Sequence, residues 1–233
     1  MEVDKTPASI QKEKEMNSKE MIHPVDRYRD QLEKWQLRFK EEGRAIVERH
    51  HRYPICEGRY LQIIYFYKKY LLDLQTGKLL EEDKSPCIQS EMSQMMIYSH
   101  LLYLQKDAYA SGHVVSYEEI KGNSHVSGWA GKIRNRTSEL KKVLETEPEK
   151  VKAAVTALGG ELWNRGDISF SLEAFKDVRF YYVFWKGDEE FPSDLRILYD
   201  ENVMQFMHQE SVVILGELGM QEVMRQIYKI CLR

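Results

Sequence analysis

Very little in this chain would fix its fold or chemistry from outside a hydrophobic core. Its three cysteines, Cys56, Cys87 and Cys231, are scattered over 233 residues with no Cys-x-x-Cys pair. An odd count at such spacing excludes a disulfide framework and fits a reducing compartment. It also falls short of the four thiolates that a cysteine-ligated iron–sulfur cluster takes. No apolar run approaches the ~20 residues that a membrane-spanning helix needs. Residues 1–20 are polar and charged, so no secretory leader is expected, and the expected location is the cytoplasm with no membrane partner. Basic residues show no excess, with 34 Lys and Arg against 37 Asp and Glu and a net charge of −3. The electrostatic footprint of a nucleic-acid-binding protein is therefore absent, and no such partner is expected. Also missing are a Gly-x-Ser-x-Gly elbow, a phosphate-cradling P-loop and a Gly-x-Gly-x-x-Gly turn, which removes the commonest hydrolase and nucleotide-binding readings.

What is present is apolar and aromatic, at 42% and 11% of the residues. A chain of this length can bury a core without staples. Residues 1–22 are rich in Lys, Glu and Ser, with too little apolar surface to dock, and read as a disordered or loosely helical tail ahead of one domain over 23–233. From Pro24 the pattern changes. Val25, Tyr28, Leu32, Trp35 and Phe39 recur at steps of three and four, one face of a helix that Gly43 is expected to interrupt before a short second helix over Ala45 to His50. Arg59 to Tyr67, Tyr70 to Gln75 and Lys78 to Leu80 then read as a meander of antiparallel strands, with Thr76-Gly77 as a turn. Ser90 to Leu104 is apolar nearly all round and is expected as a core helix.

Trp129, Ile133, Leu140 and Leu144 mark a second long helix over Ser127 to Thr146, and Val151, Val155 and Leu158 a shorter one ended by Gly159-Gly160. Three strands follow, over Ile168 to Leu172, Val178 to Trp185 and Leu195 to Tyr199, the last closed by the turn residues Asp200-Glu201-Asn202. From Ser211 the chain is expected to be helical again, bent or divided near Gly216 and Gly219. Grouped strands with short connections and segregated helices predict an α+β fold, an antiparallel sheet with helices packed mainly on one face.

Several segments together carry a family resemblance. They are His100-Leu101-Leu102-Tyr103, Gly112 to Glu119, Leu158-Gly159-Gly160, Gly166 to Phe170, Trp185 to Pro192, Ile197 to Asp200, and Glu210. The block from Trp185 to Pro192 is the most specific. Over roughly Arg27 to Leu218 the chain resembles the bacterial and archaeal family called domain of unknown function 3786. The resemblance implies a stand-alone α+β domain. It also implies the company of corrinoid iron–sulfur proteins of anaerobic one-carbon metabolism, because some relatives carry an N-terminal module of that kind. The tail here contains no cysteine, so it lacks the ligands of such a module, and what the resemblance leaves is an association with corrinoid or other tetrapyrrole chemistry.

Candidate sites follow from residue type. His208 lies beside Met204 and Met207, and His100 four residues after Met96; imidazole and thioether are both axial ligands for a tetrapyrrole metal such as that of a corrinoid or haem. Lys132 and Arg136, one helical turn apart, could grip the acidic periphery of such a ligand. Packing is the plainer role for each Met and His, and a solvated face for the cations. Asp188, Glu190 and Asp200 could hold a hard cation or supply an acid/base pair; an acidic loop is more commonly just solvated. His50-His51 with Cys56 is half a zinc site with no second half. The expected function is a non-enzymatic ligand-binding or accessory module for a corrinoid or other tetrapyrrole, or for corrinoid-dependent proteins. The alternatives are a metal-dependent, hydrolase-like enzyme built on the acidic cluster, and a pure protein-interaction domain. For the tail, deletion of residues 1–20 should leave the melting temperature unchanged within about a degree, because so few apolar groups are lost; a large fall would contradict it.

Overall fold

The computed structural model describes residues 24–122 and 138–232. Helix α1 (Pro24–Glu48) leads into a four-stranded antiparallel sheet, β1 (Ile55–Cys56), β2 (Tyr60–Tyr65), β3 (Lys68–Asp73) and β4 (Leu79–Glu81), whose strands lie in chain order. Helix α2 (Glu91–Tyr103) follows, then β5 (Val114–Val115), α3 (Ser138–Thr146) and α4 (Pro148–Ala157). The second sheet adds β6 (Glu161–Trp163), β7 (Ile168–Phe175), β8 (Val178–Trp185) and β9 (Asp194–Asp200) in the order β5-β9-β8-β7-β6, again antiparallel throughout. Helix α5 (Gln209–Cys231) closes the described chain. The α+β class expected from the sequence is what the protein adopts, with its strands divided between two sheets. Among the described residues no helix is long and apolar enough to cross a membrane.

The core helix is the most legible element. Ser90 caps α2 by accepting from the Ser93 N–H at 3.2 Å. From Met95 to Leu101 every side chain is buried, as befits a helix enclosed by others rather than lying on the surface. Its Tyr98 hydroxyl donates to the Gly77 carbonyl at 2.7 Å, and its Ser99 hydroxyl meets that of Ser211 in α5 at 2.7 Å. These two bonds tie the first sheet and the last helix to one central rod. Along α1 the stripe Leu32, Phe39, Ile46 and Val47 is buried, Trp35 packs partly against the same core, and Tyr28 stays exposed.

Glycines expected to break helices instead mark close approaches. Helix α1 runs unbroken through Gly43, where an added Cβ would stand 3.2 Å from Leu74 Cδ2. Helix α5 is likewise undivided. At Gly219 a Cβ would fall 2.0 Å from the Tyr182 hydroxyl, which donates to the Gly216 carbonyl at 2.9 Å. The helical penalty of about 1 kcal/mol per glycine is thus offset by packing α5 directly onto β8. The helix expected over Ser127 to Thr146 is described from Ser138, with Leu140 and Leu144 buried; the rest of it, with Lys132 and Arg136, lies outside the described residues.

Gly219→Ala should therefore destabilise the fold by about 1–3 kcal/mol, the usual cost of overpacking. Adding Tyr182→Phe should restore part of that loss by removing the clashing oxygen. Urea unfolding of the two single variants and the pair measures the coupling, and additive losses would contradict the contact.

Candidate functional site

Among the described residues, those singled out in the sequence do not converge. His100, fully buried on α2, has both ring nitrogens engaged. A carbonyl only accepts, so Nδ1 carries the proton and donates to the Phe206 carbonyl at 3.0 Å; Nε2 then accepts from the Tyr53 hydroxyl at 2.6 Å. The ring also stacks on Phe175, with centroids 4.1 Å apart and planes within 5°. That leaves His100 no lone pair for a metal. His208 is exposed at the start of α5, where its Nδ1 accepts from the Glu210 N–H at 3.4 Å and its ring leans on Tyr103. Met207 is core, and Met204 packs against the core.

The acidic candidates are split between the two ends of β9. Asp188 sits in the loop before that strand, its Oδ1 accepting the N–H groups of Glu190 and Phe191 at 2.9 and 2.8 Å. Asp200 ends it, and seven residues at ~3.3 Å each separate the ends by roughly 20 Å. The buried Asp200 carboxylate accepts the N–H groups of Ser111, Gly112 and Asn202 and the Ser111 hydroxyl, at 2.7–3.2 Å. It ties the 111–112 segment to β9 and the turn after it, which uses its acceptor capacity for structure. Glu190 is exposed at the loop tip. Among the described residues no group of three or more His, Cys, Asp or Glu side chains is placed to hold a metal.

A different place combines a cavity with strain. β2 and β3 are joined by a two-residue turn, Phe66-Tyr67, with Tyr65 paired to Lys68. Both turn residues are left-handed, at φ 41° and 69°. That geometry matches the strand twist but is normally filled by Asn-Gly, because a side chain there costs about 1–2 kcal/mol. Neither carries a turn signal, so the sequence pattern predicts strand at both. What holds them is tertiary. The Phe66 N–H donates to the Ala174 carbonyl at 3.0 Å, linking the two sheets, and the Phe66 ring is buried against Gly219. The Tyr67 ring lies on Gly159, itself at φ 68°, where a Cβ would come within 2.6 Å of it.

Tyr67 nonetheless remains 68% exposed, and it borders two cavities. The larger, about 660 Å³, lies between the hairpin tip, the loop entering α2 (Ile88 to Ser90), the end of α4 and the last turns of α5. Its charged lining is Lys68, Arg225 and Lys229 against the single carboxylate of Glu222. The smaller, about 280 Å³, lies on the side of Tyr67 toward Ile64 and Glu173. His100 and His208 line neither.

Two buried histidines set a pH limit on the fold. Burial holds His100 down at about 3. Burial, with Arg49 and Arg52 nearby, holds His50 at about 4, its ring nitrogens buried without a hydrogen bond of ordinary geometry. Both values lie below the unfolded 6.5, so between pH 6.5 and about 4 the unfolded chain binds protons that the folded chain refuses. Stability is full above pH 6.5 and falls on acidification, by up to about 1.4 kcal/mol per pH unit for each histidine. His100→Gln should lower stability at pH 7 yet flatten its fall between pH 6.5 and 4.5. Urea midpoints at a series of pH values measure this, and curves parallel to the wild type would contradict it.

The comparison with known families bears on residues 52–222, which match the family model described as Domain of unknown function (DUF3786). No curated protein and no solved structure matches the chain. The matched stretch starts at Arg52, just beyond α1, and runs through both sheets and the Phe66-Tyr67 turn into α5. With well over half of its length covered, the protein belongs to the DUF3786 family.

Proposed function

We propose that this protein is a non-enzymatic ligand-binding or accessory module whose ligand lies in the cleft at the tip of the β2–β3 hairpin. The observation that carries the reading is the pairing of backbone strain with a cavity. Two bulky residues are held in left-handed geometry, and one of them presents most of its ring beside a space of about 660 Å³. Such strain persists only where the surroundings over-determine it, and it clusters at ligand clamps and active sites. The volume lies within the usual range for small-molecule pockets, about 300–1,000 Å³. The rigid wall of Tyr65, Phe66 and Tyr70 needs little ordering on binding, which favours affinity.

A corrinoid or another tetrapyrrole remains the ligand that the family's company suggests. Here it would be gripped by stacking on Tyr67, because the His100 nitrogens are already bonded within the core. Cys56, Cys87 and Cys231 are free thiols, in keeping with a cytoplasmic module that serves corrinoid-dependent proteins.

Titration with haem and cobalamin, followed by absorbance, and with anilinonaphthalene sulfonate, followed by fluorescence, tests the reading. Wild-type protein should bind at least one of them saturably at a single site. Tyr67→Gly should weaken that binding about tenfold or more while holding or raising the melting temperature, since it relieves the turn. No binding by the wild type, or equal binding by the variant, would contradict it.

A further inference from the structure

Resting on the cleft reading above, we infer that the hairpin-tip cleft selects planar organic anions: a flat apolar ring that packs on Tyr67, with a carboxylate, sulfonate or phosphate aimed at the far wall. The two walls differ in chemistry. On the hairpin side stand Tyr65, Phe66, Tyr67 and Tyr70, all aromatic. On the α5 side stand Arg225 and Lys229, one helical turn apart and therefore on one face of the helix.

Charge decides what the second wall attracts. Lys68 is paired with Glu81 at 2.6 Å and lies over the Tyr70 ring, and Arg225 is paired with Glu222 at 2.6 Å. Lys229 is exposed and has no carboxylate partner among the described residues. With Lys68 offset by Glu81 and Arg225 by Glu222, Lys229 leaves the cleft with one positive group in excess. Arg225 can also turn part of its fork toward a ligand, because Glu222 takes only its Nη1.

The third wall adds polar groups. Gln89 and Ser90 line the cleft where α2 begins, and Glu91 in the first turn of that helix is paired with Arg29. Gln89 is held by donating to the Tyr70 hydroxyl at 2.7 Å. Tyr65 buries its hydroxyl without a hydrogen bond of ordinary geometry, with Ser93 as its polar neighbour. A neutral ligand would forgo the cations of α5, which an anion uses together with the aromatic wall. Tyr65 to Lys68 fall within the span matched to the family, and Arg225 and Lys229 beyond it, so the family match covers the aromatic wall and not the cations of α5.

Calorimetric titration of the full chain compares naphthalene sulfonate with the uncharged naphthalene methanol, for the wild type and for the double variant Arg225→Glu/Lys229→Glu. The sulfonate should bind the wild type at least tenfold more tightly, with an advantage that shrinks as salt rises. The double variant should lose that advantage while keeping its affinity for the uncharged compound. Should charge reversal lower the melting temperature, Arg225→Gln/Lys229→Gln gives the same readout. Equal binding of both compounds, or an advantage that survives the substitutions, overturns the anion preference and leaves the cleft reading standing. If neither compound binds, the cleft reading itself fails and the preference falls with it.

Discussion

The architecture depends on one backbone contact, the Phe66 N–H reaching the Ala174 carbonyl at 3.0 Å. It is made at the tip of a hairpin in the first sheet and received by β7 in the second. To make it, the chain places two aromatic residues in a turn that sterics reserve for glycine and asparagine. The turn is held because each ring finds a glycine to lie on, Phe66 at Gly219 and Tyr67 at Gly159. The same glycines serve the helices. Gly219 lets α5 sit on Tyr182, and Gly159 closes α4. Two sheets, two helices and one strained turn are thus fitted together at a single point, and the larger cavity opens beside it.

Polar groups in the core follow the same economy. His100 bridges Tyr53 and Phe206, and Arg52 reaches the Ala108 carbonyl at 3.0 Å, pairs with Asp177 and lies over the Phe206 ring. Asp200 gathers the backbone of the 111–112 segment. Each joins segments far apart in sequence; His100 and Asp200 are satisfied there, while the ion-paired Arg52 keeps its Nε buried without a partner. That arrangement stabilises a unique packing and leaves these groups little capacity for a ligand.

Sequence periodicity and composition were enough to place β2, β3, β7, β8 and β9, and Ser90 and Leu104 are the caps of α2 at the expected boundaries. β1, β5 and β6, of two or three residues each, are too short to show a period. Gly43, Gly216 and Gly219 read as breaks because local propensity cannot see the partner that needs the space; long-range packing overrode it. The cleft was illegible for a related reason. Its residues come from segments 65–70, 88–90, 157–158 and 222–229, and no motif links them. Residue type alone singles out the histidines and carboxylates, and it does not reveal that the Phe206 carbonyl and the Tyr53 hydroxyl engage His100 or that backbone N–H groups engage Asp200.

The central claim is that the strained hairpin tip is the ligand-bearing surface. A crystal structure of the protein soaked with naphthalene sulfonate tests it most directly. The account predicts the ring on Tyr67, the sulfonate toward Arg225 and Lys229, and positive φ retained at Phe66 and Tyr67. A probe bound elsewhere, or a turn relaxed out of the left-handed region, would contradict it.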